Sequence, residues 1–262
     1  MTAGDGGARL TVDGACAVLE LDRPDQRNAV DSAMADAVLR ACEELAERPD
    51  VRIVLLRGRG PVFCAGGDIH EFRHLAQRPE GDRREALGRY VRMLDAIEAL
   101  PQLTVAVVHG LAAGLGVSFA SRCDIALAGE SARFVLPELS IGLVPGLVLL
   151  DAERVMPDKQ ARDWLVTGKP RTAEEACRVG LLSRVVPDAD LESAVSELIT
   201  TVTSGPPTAL RTTIDLYKAV QADRVGAGRH RAVQEAAASL ASPEAHEGFT
   251  AFAERRRPEW SS

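Results

Sequence analysis

Two segments rich in glycine and alanine each follow an apolar run that predicts a buried strand. Residues 64–67 (CAGG) come shortly after the run 53–58, and residues 112–116 (AAGLG) come shortly after the run 105–110. Residues this small expose backbone N–H groups to an approaching ligand. Two such units side by side would bring both exposed turns to one place. The pattern therefore predicts a binding site built from main-chain donors.

The candidate donors in these segments are the amides of Gly67 and Leu115. A helix is predicted to begin near Gly114, which would put the Leu115 amide at the positive end of the helix dipole. A second donor from Gly67 would complete a pair able to hold a developing oxyanion, and the loss of one such donor costs roughly 2.7–4 kcal/mol in acyl transfer. Tight turns with close packing are the alternative interpretation of the same residues.

A candidate acid–base group is Glu138, which lies between the apolar residues Leu136 and Ile141. Burial in apolar surroundings raises the pKa of a carboxyl group toward the range that suits proton transfer near neutral pH. The hypothesis is that Glu138 transfers protons. A solvated loop carboxylate is the alternative, because that is the usual environment of glutamate.

Three further polar residues have less direct roles. Ser118 could bind water or a substrate hydroxyl, although a serine satisfied locally on a helix surface is an equal alternative. Asp68 is expected to cap or brace the first segment rather than to act on substrate. Asp151, the nearest acidic residue downstream of Glu138, is expected to cap a helix.

The elements that must position these residues follow from hydrophobic periodicity. Asp31 stands where it would cap a helix over 32–47, and the charged residues 71–89, which contain a Pro-Glu-Gly-Asp sequence, predict a mobile surface segment before a helix that ends near Leu100. Predicted strands are 17–21, 51–56, 105–108, 125–128 and 133–135. Predicted helices in the second half are 158–167, 173–179, 190–203, 208–220, 229–240 and 244–257. Strands early and helices late predict an α/β core with a helical appendage.

Composition limits the class of protein. The chain has 262 residues, of which 38 are acidic and 31 basic, and its net charge of −7 argues against nucleic-acid binding because the longest basic run is only Arg255–Arg257. The five cysteines form no CxxC pair and are odd in number, which argues against a disulfide framework or a zinc site and favours the reducing cytoplasm. Residues 1–9 show no signal pattern, and no apolar run reaches the ~18 residues of a membrane-spanning helix. We therefore expect a cytoplasmic protein with no metal, no membrane and no nucleic-acid partner.

The segments 63–69 (FCAGGDI) and 110–116 (GLAAGLG) together resemble the paired oxyanion-hole motifs of the crotonase (enoyl-CoA hydratase/isomerase) superfamily. The resemblance covers almost the whole chain, because other motifs occur in the order of the family. These are Leu21-Asp22-Arg23-Pro24 with Asn28-Ala29, Cys123-Asp124-Ile125, Pro137-Glu138 with Ile141-Gly142, and residues 248–257. Each motif is weak alone, but the ordered set is specific.

The resemblance implies the crotonase fold, an α/β spiral of ββα repeats with a C-terminal helical region that builds trimers. On this basis residues 1–190 form the core with the active site, and residues 191–262 form the trimerisation region of a homotrimer or a dimer of trimers. Members of the superfamily bind acyl-CoA thioesters and hold the thioester oxygen between two backbone amides as an enolate forms. Matched by position, those donors are Gly67 and Leu115.

The same resemblance implies where CoA binds, as part of the substrate and with no separate cofactor. Arg27 is the best candidate in the N-terminal loop for a phosphate contact. The run Arg255–Arg257 matches a basic element that approaches the nucleotide phosphates in some members. The residues matched to CoA binding are Gln26, Arg27, Ala29, Ala65, Gly67, Asp68, Ile69 and Gly114.

The sequence departs from the hydratase pattern at one acid–base position. Hydratases of the superfamily use two glutamates, and here Ser118 stands in the first position while Glu138 keeps the second. A serine hydroxyl has no ionised form near neutral pH and cannot replace a general base. A single carboxylate can still move a proton between two carbons, which resembles the monofunctional enoyl-CoA isomerases, so isomerisation is the favoured reaction.

Two alternatives stay open. One is hydration, or another lyase or decarboxylase reaction of the superfamily, in which Ser118 or a bound water assists. The other is a protein of a different class, which binds acyl-CoA without catalysing a reaction.

Overall fold

A computed structural model describes residues 3–4, 6–222 and 237–256 of the chain. Its strands, numbered in chain order, are β1 (Ala3–Gly4), β2 (Ala8–Asp13), β3 (Cys16–Leu21), β4 (Ile53–Gly58), β5 (Leu103–Val108), β6 (Leu111–Ala113), β7 (Ile125–Gly129), β8 (Arg133–Val135), β9 (Arg171–Thr172) and β10 (Arg184–Val186). They form a seven-stranded sheet in the order β1-β2-β3-β4-β5-β7-β10 and a three-stranded sheet in the order β6-β8-β9.

Most of the larger sheet is parallel. Strands β3, β4, β5, β7 and β10 run in the same direction, and β1 and β2 add an antiparallel edge. Parallel strands that are covered on both faces contain continuous apolar runs, because successive side chains point to opposite faces. In β4, Val54 and Leu56 belong to the core on one face, and Ile53 and Leu55 belong to the core on the other. The prediction of buried strands from these runs is confirmed.

The helices, again in chain order, are α1 (Ser32–Ala46), α2 (Ile69–Ala76), α3 (Glu80–Ala99), α4 (Leu115–Arg122), α5 (Gly146–Val155), α6 (Asp158–Thr167), α7 (Ala173–Arg178), α8 (Leu191–Ser204), α9 (Pro207–Ala222) and α10 (Pro243–Glu254). Asp31 caps α1 as predicted, since its side chain accepts a hydrogen bond from the Met34 amide. No helix in the described ranges is both long and apolar enough to cross a membrane.

The segment 71–89 is helical except at residues 77–79, and many of its residues are exposed. The prediction of a surface segment therefore fits, but it missed the helices α2 and α3. Pro79 lies at the N-cap of α3, and Glu80 and Asp82 lie in its first turn. Proline is tolerated at the start of a helix, and acidic residues there interact favourably with the helix dipole. The Pro-Glu-Gly-Asp sequence therefore begins a helix. The buried stripe of α3 comprises Leu87, Tyr90, Met93, Leu94 and Ile97.

Asp151 does not cap a helix, because it lies inside α5. Its side chain is buried and pairs with Arg122 at the end of α4. Arg122 also pairs with Glu98 of α3, and with Asp95 of the same helix over 3.0 Å. The sequence context suggested a cap, but tertiary packing instead makes Asp151 part of an ion cluster that joins α3, α4 and α5 and is buried at Arg122 and Asp151.

The C-terminal helices pack on two sides of the molecule: α8 and α9 lie on the seven-stranded sheet, and α10 lies on the main hydrophobic core. Helices α8 and α9 cover the second face of the seven-stranded sheet through residues that include Leu191 and Ile214. The helices predicted up to residue 220 are thereby confirmed. The helix predicted at 229–240 lies mostly outside the described residues, as does Arg257. The division of the chain at residue 190 remains a prediction.

Candidate active site

The two small-residue segments lie side by side because main-chain hydrogen bonds join them. The Cys64 amide donates to the carbonyl oxygen of Leu111 over 3.0 Å, and the Ala113 amide donates to the carbonyl oxygen of Cys64 over 2.9 Å. Cys64 and Ala112 also form an isolated parallel bridge between the first segment and β6. Since β6 leads into α4, the segment that follows β4 meets the start of α4.

Glycine is required where the two segments approach each other. Gly66 has a φ of +100°, and a Cβ on it would lie 3.0 Å from the carbonyl oxygen of Ala113. Gly114 directly precedes α4 and has a φ of +48°. Residues with side chains rarely adopt either conformation. The two glycines therefore set the path of the main chain at this junction.

The amides of Gly67 and Leu115 are both available to a ligand. Val30 forms hydrogen bonds with the residues on either side of Gly67. The Val30 amide donates to the carbonyl oxygen of Gly66, and the Asp68 amide donates to the carbonyl oxygen of Val30, each over 2.8 Å. The Gly67 amide takes no part in this bridge. Leu115 is the first residue of α4, where N–H groups have no acceptor within the helix. Neither amide has a hydrogen-bond acceptor in the part of the chain that the structure describes.

Glu138 follows β8 and opens the 3₁₀ turn Glu138–Ile141. The residue as a whole is partly exposed, but its Oε2 atom is buried and has no hydrogen-bond partner among the described residues. Burial raises the pKa of the Glu138 carboxyl group to about 7, so near neutral pH the group can both take and release a proton. A Cβ on Gly114 would lie 2.9 Å from Oε1. The carboxyl group therefore lies against the turn that precedes the Leu115 amide.

Gly67, Leu115 and Glu138 line one cavity, which brings the predicted donor pair together with the predicted acid–base group. The rest of the wall is almost entirely apolar, and Glu138 is the only ionisable side chain among the described lining residues. The others are Phe72, Leu87, Leu143, Val144, Pro145, Gly146, Leu147, Val148, Ser239 and Leu240. Such a cavity suits a hydrocarbon chain joined to a carbonyl group.

Ser118 is not among the described residues that line this cavity. Its side chain is buried on α4 and faces Asp151. Burial raises the pKa of Asp151, while Arg122 and the Ser118 hydroxyl lower it. Yet neither Ser118 Oγ nor Asp151 Oδ2 completes a hydrogen bond of normal geometry with any described residue. A catalytic role for Ser118 remains a prediction.

Arg27 and Ile69, both predicted to contact CoA, line a second, open cavity of about 610 Å³. His70, Arg73 and Arg255 line the same cavity. Guanidinium groups pair well with phosphate oxygens, so three arginines at one cavity suit a ligand that carries phosphate groups. Arg27, the predicted phosphate contact, and Arg255, the first residue of the predicted basic element, thus line the same cavity.

The other residues predicted to contact CoA surround the first small-residue segment. Gln26 is exposed in a 3₁₀ turn directly before Arg27, and Ala29 is partly exposed. The Ala65 amide donates to the carbonyl oxygen of Arg27 over 3.0 Å. Asp68 caps α2 through two main-chain amides, as expected. Contact with CoA remains a prediction for each of these residues.

Phe72 and Leu87 are cavity residues that were not predicted from the sequence. Both lie in the segment that was expected to be a mobile surface segment. The spacing of Ile69, Phe72 and Leu75 is typical of one face of a helix and would have identified α2 as part of the wall. Ser239, which precedes α10, carries no comparable signal.

The fold and the site together define a class of protein. Two main-chain donors stand beside a carboxyl group with a raised pKa, at an apolar cavity carried by a parallel α/β core. Donors of this kind stabilise the negative oxygen of an enolate, and the carboxyl group can supply or remove the proton. The site is therefore suited to acid–base chemistry on a carbonyl compound.

The chain belongs to the enoyl-CoA hydratase/isomerase family, because residues 11–262 match the sequence profile of that family. It is 33% identical over 246 residues to a putative enoyl-CoA hydratase of Thermus thermophilus, covering 94% of this chain and 97% of that one. It is 31% identical over 245 residues to the human mitochondrial enoyl-CoA hydratase domain-containing protein 3, covering 92% and 79%.

Solved structures agree with this assignment. A crystal structure of an enoyl-CoA hydratase from Mycobacterium avium subsp. paratuberculosis K-10 superposes with a TM-score of 0.87 at 30% identity, covering 98% of this chain and 99% of that one. An enoyl-CoA hydratase from Bacillus halodurans has the same fold, with a TM-score of 0.87 at 23% identity over 94% of this chain and 99% of that one. The protein is thus an enzyme of the crotonase superfamily with the crotonase fold, as the motifs predicted.

Proposed function

We propose that the enzyme moves a double bond along an enoyl-CoA thioester, with Glu138 as the single proton-transfer group. The observation that carries this proposal is the cavity shared by Gly67, Leu115 and Glu138, whose described lining residues include no second ionisable side chain. Hydration needs one group that takes a proton and another that gives one. Isomerisation needs only one group that does both in turn.

In the proposed reaction, Glu138 removes a proton from C2 of a 3-enoyl thioester. The electron pair of that C–H bond forms a dienolate, whose oxygen accepts hydrogen bonds from the Gly67 and Leu115 amides. The protonated Glu138 then gives the proton to C4, the carbonyl re-forms, and the double bond moves from C3–C4 to C2–C3. A pKa of about 7 suits both proton transfers, because the group that accepts the proton from C2 must also return it to C4.

A CoA thioester is the proposed substrate because of the open cavity lined by Arg27, Arg73 and Arg255. These side chains could bind the phosphate groups of CoA while the acyl chain occupies the apolar cavity. CoA enters the reaction as part of the substrate, so no separate cofactor is proposed. All five cysteines are free thiols, which suits a reducing compartment such as the cytoplasm.

We also infer that the enzyme assembles as a homotrimer or a dimer of trimers. Several large apolar side chains on the elements from the Glu138 turn to α6 are exposed in the single chain, as is typical of surfaces that a partner covers. They are Leu139, Leu149 and Val166. Sedimentation velocity is expected to detect a particle of about three or six times 28.0 kDa, and a monomer would contradict the inference.

The test is exchange of C2 protons into deuterated water, followed by product analysis. The wild-type enzyme is expected to exchange the C2 protons of acyl-CoA and to convert a 3-enoyl-CoA to a 2-enoyl-CoA. Glu138→Gln should lower both rates by at least about 100-fold. If Glu138→Gln converted 3-enoyl-CoA as fast as the wild type, the proposal would be wrong. Thermal unfolding of both proteins separates loss of chemistry from loss of fold.

Hydration is the second candidate, because the relatives compared above are described as enoyl-CoA hydratases. In that case Ser118 or a bound water would assist Glu138, crotonyl-CoA would give a hydroxyacyl product at a substantial rate, and Ser118→Ala would slow that reaction. Another lyase or decarboxylase reaction would also use the two amides but give a different product. A protein that only binds acyl-CoA would bind it tightly and exchange no C2 protons.

A further inference from the structure

Phe72 occupies the space in which residue 67 would otherwise have a side chain. A Cβ placed on Gly67 would lie 2.6 Å from Cε2 of Phe72 and closer still to Cζ. Cβ atoms essentially never approach other atoms so closely, so a side chain at residue 67 would require the aromatic ring to shift. Gly67 is not one of the glycines with a positive φ. The ring, and not the backbone conformation, therefore accounts for the glycine.

The ring is held in this position by its neighbours. Tyr90 of α3 meets Phe72 edge to face, with ring centroids 5.9 Å apart and planes at 83°. The buried Tyr90 donates a hydrogen bond from its hydroxyl to Glu71 Oε1 over 3.2 Å. Glu71 in turn accepts a hydrogen bond from the Ser32 amide over 2.8 Å. Movement of the Phe72 ring away from Gly67 would disturb this chain of contacts from α3 to the start of α1.

Phe72 is also part of the cavity wall beside a proposed oxyanion donor. In an acyl thioester, C2 is bonded directly to the carbonyl carbon, so a substituent on C2 stays close to any group that binds the carbonyl oxygen. A methyl branch on C2 would compete with the ring for the space beside Gly67. An unbranched chain can instead continue along the apolar wall.

We propose that Phe72 is a specificity-determining residue that restricts the site to acyl groups unbranched at C2. This inference rests on the proposed function, in which the Gly67 amide holds the thioester oxygen. The discrimination comes from the ring and the glycine acting together, since each occupies space that the other leaves free. It predicts that the effects of substitutions at positions 67 and 72 are not additive.

The first test compares butyryl-CoA with isobutyryl-CoA, two isomers that differ only in branching at C2. The dissociation constant and the rate of C2-proton exchange are measured for each thioester. The wild-type enzyme is expected to favour butyryl-CoA by at least about tenfold, and Phe72→Ala should reduce this preference to about twofold. An unchanged preference in Phe72→Ala overturns the inference. If that variant does not fold, Phe72→Leu removes the ring more conservatively.

The second test is a double-variant rescue. Gly67→Ala is expected to slow exchange of butyryl-CoA protons by at least about tenfold, because its Cβ must displace either the ring or the donor amide. Gly67→Ala combined with Phe72→Ala should recover most of that loss. A merely structural role for Phe72 would instead make the double variant worse than either single one. Exchange at the wild-type rate in Gly67→Ala would also overturn the inference.

Val148→Ala is the matched control, because it truncates an apolar side chain that α5 contributes to the same cavity. Whatever its effect on rate, it should preserve the preference for butyryl-CoA over isobutyryl-CoA.

The proposed function and the proposed role of Phe72 can fail separately. If the wild-type enzyme binds both thioesters but exchanges neither, the proposed function fails, and the ratio of the two dissociation constants still decides whether Phe72 sets specificity.

Discussion

The carboxyl group of Glu138 lies against the main chain of Gly114, such that a Cβ on Gly114 would lie 2.9 Å from Oε1. Gly114 directly precedes the helix whose first amide belongs to Leu115. One turn of main chain therefore sets the positions of the acid–base group and of one oxyanion donor relative to each other. Main-chain atoms move less freely than long side chains, which makes this relationship a sensitive target for substitution.

We expect Gly114→Ala to slow C2-proton exchange by at least about 100-fold, because the added methyl group must displace Glu138 from its place beside the donor. The positive φ of Gly114 adds a strain of ~1–3 kcal/mol, which urea unfolding will show as lost stability. Gly81→Ala is the matched control, because apart from its chain neighbours and the backbone of its own helix no atom lies within 4 Å of its Cβ position. It should keep the wild-type exchange rate. Full activity in Gly114→Ala would contradict the proposed geometry.

The exchange rate should rise with pH and level off above about 7, because the carboxylate form of Glu138 is the base and burial raises its pKa to about 7. A pH profile of exchange at saturating butyryl-CoA measures this. A profile that is already flat from pH 5 upward would mean that the base has an ordinary carboxyl pKa or is a different residue.

The same raised pKa predicts how stability depends on pH. The carboxyl group of Glu138 ionises near 4.5 in the unfolded chain and near 7 in the folded one. Between those values the folded state binds more protons, so this group lowers the free energy of unfolding as pH rises from 4.5 to 7 and adds no further change above 7. Urea unfolding should find Glu138→Gln more stable than the wild type at pH 8. The two proteins should differ least at pH 4, and a difference independent of pH would count against a buried carboxyl group.

Arg122→Met should destabilise the protein by ~3–5 kcal/mol, because it leaves the buried carboxylate of Asp151 without its arginine partner. The half-buried Glu98 keeps its second partner, Arg154. Urea unfolding measures the loss. Arg162→Met is the matched control, since Arg162 is exposed and its pair with Asp158 contributes ~1 kcal/mol or less. An equal loss in the free energy of unfolding for the two substitutions would show that the ion cluster does not stabilise the packing of α3, α4 and α5.

Arg27→Gln should weaken binding of butyryl-CoA by roughly tenfold, because a charged hydrogen bond to a phosphate group is lost. The thioester of N-acetylcysteamine, which lacks the nucleotide, should react equally well with both proteins. Arg48→Gln is the control, since Arg48 pairs with Asp50 on the surface and is not among the described residues at the open cavity. Loss of activity on both thioesters would place Arg27 outside phosphate binding.

Local sequence patterns identified much of the framework. The apolar runs of β4 and β5 predicted buried strands because both faces of a parallel sheet are covered. Asp31 and Asp68 were expected as caps, and both cap helices, because capping depends only on the next few residues. The same local reasoning failed for Asp151 and for the segment 71–89. Their environments are set by helices from other parts of the chain.

The family and the fold class were predicted from short motifs that occur in a given order. The candidate donors were predicted because small residues after an apolar run expose main-chain amides whatever surrounds them. Only tertiary packing decided which side chains share a space. It turned Ser118 toward Asp151, placed Glu138 against Gly114, and filled the empty side of Gly67 with the ring of Phe72. These relationships depend on how α4 packs against α5, how the turn after β8 meets the start of α4, and how α2 packs against α3. Such contacts leave little trace in the spacing of residues along any one element.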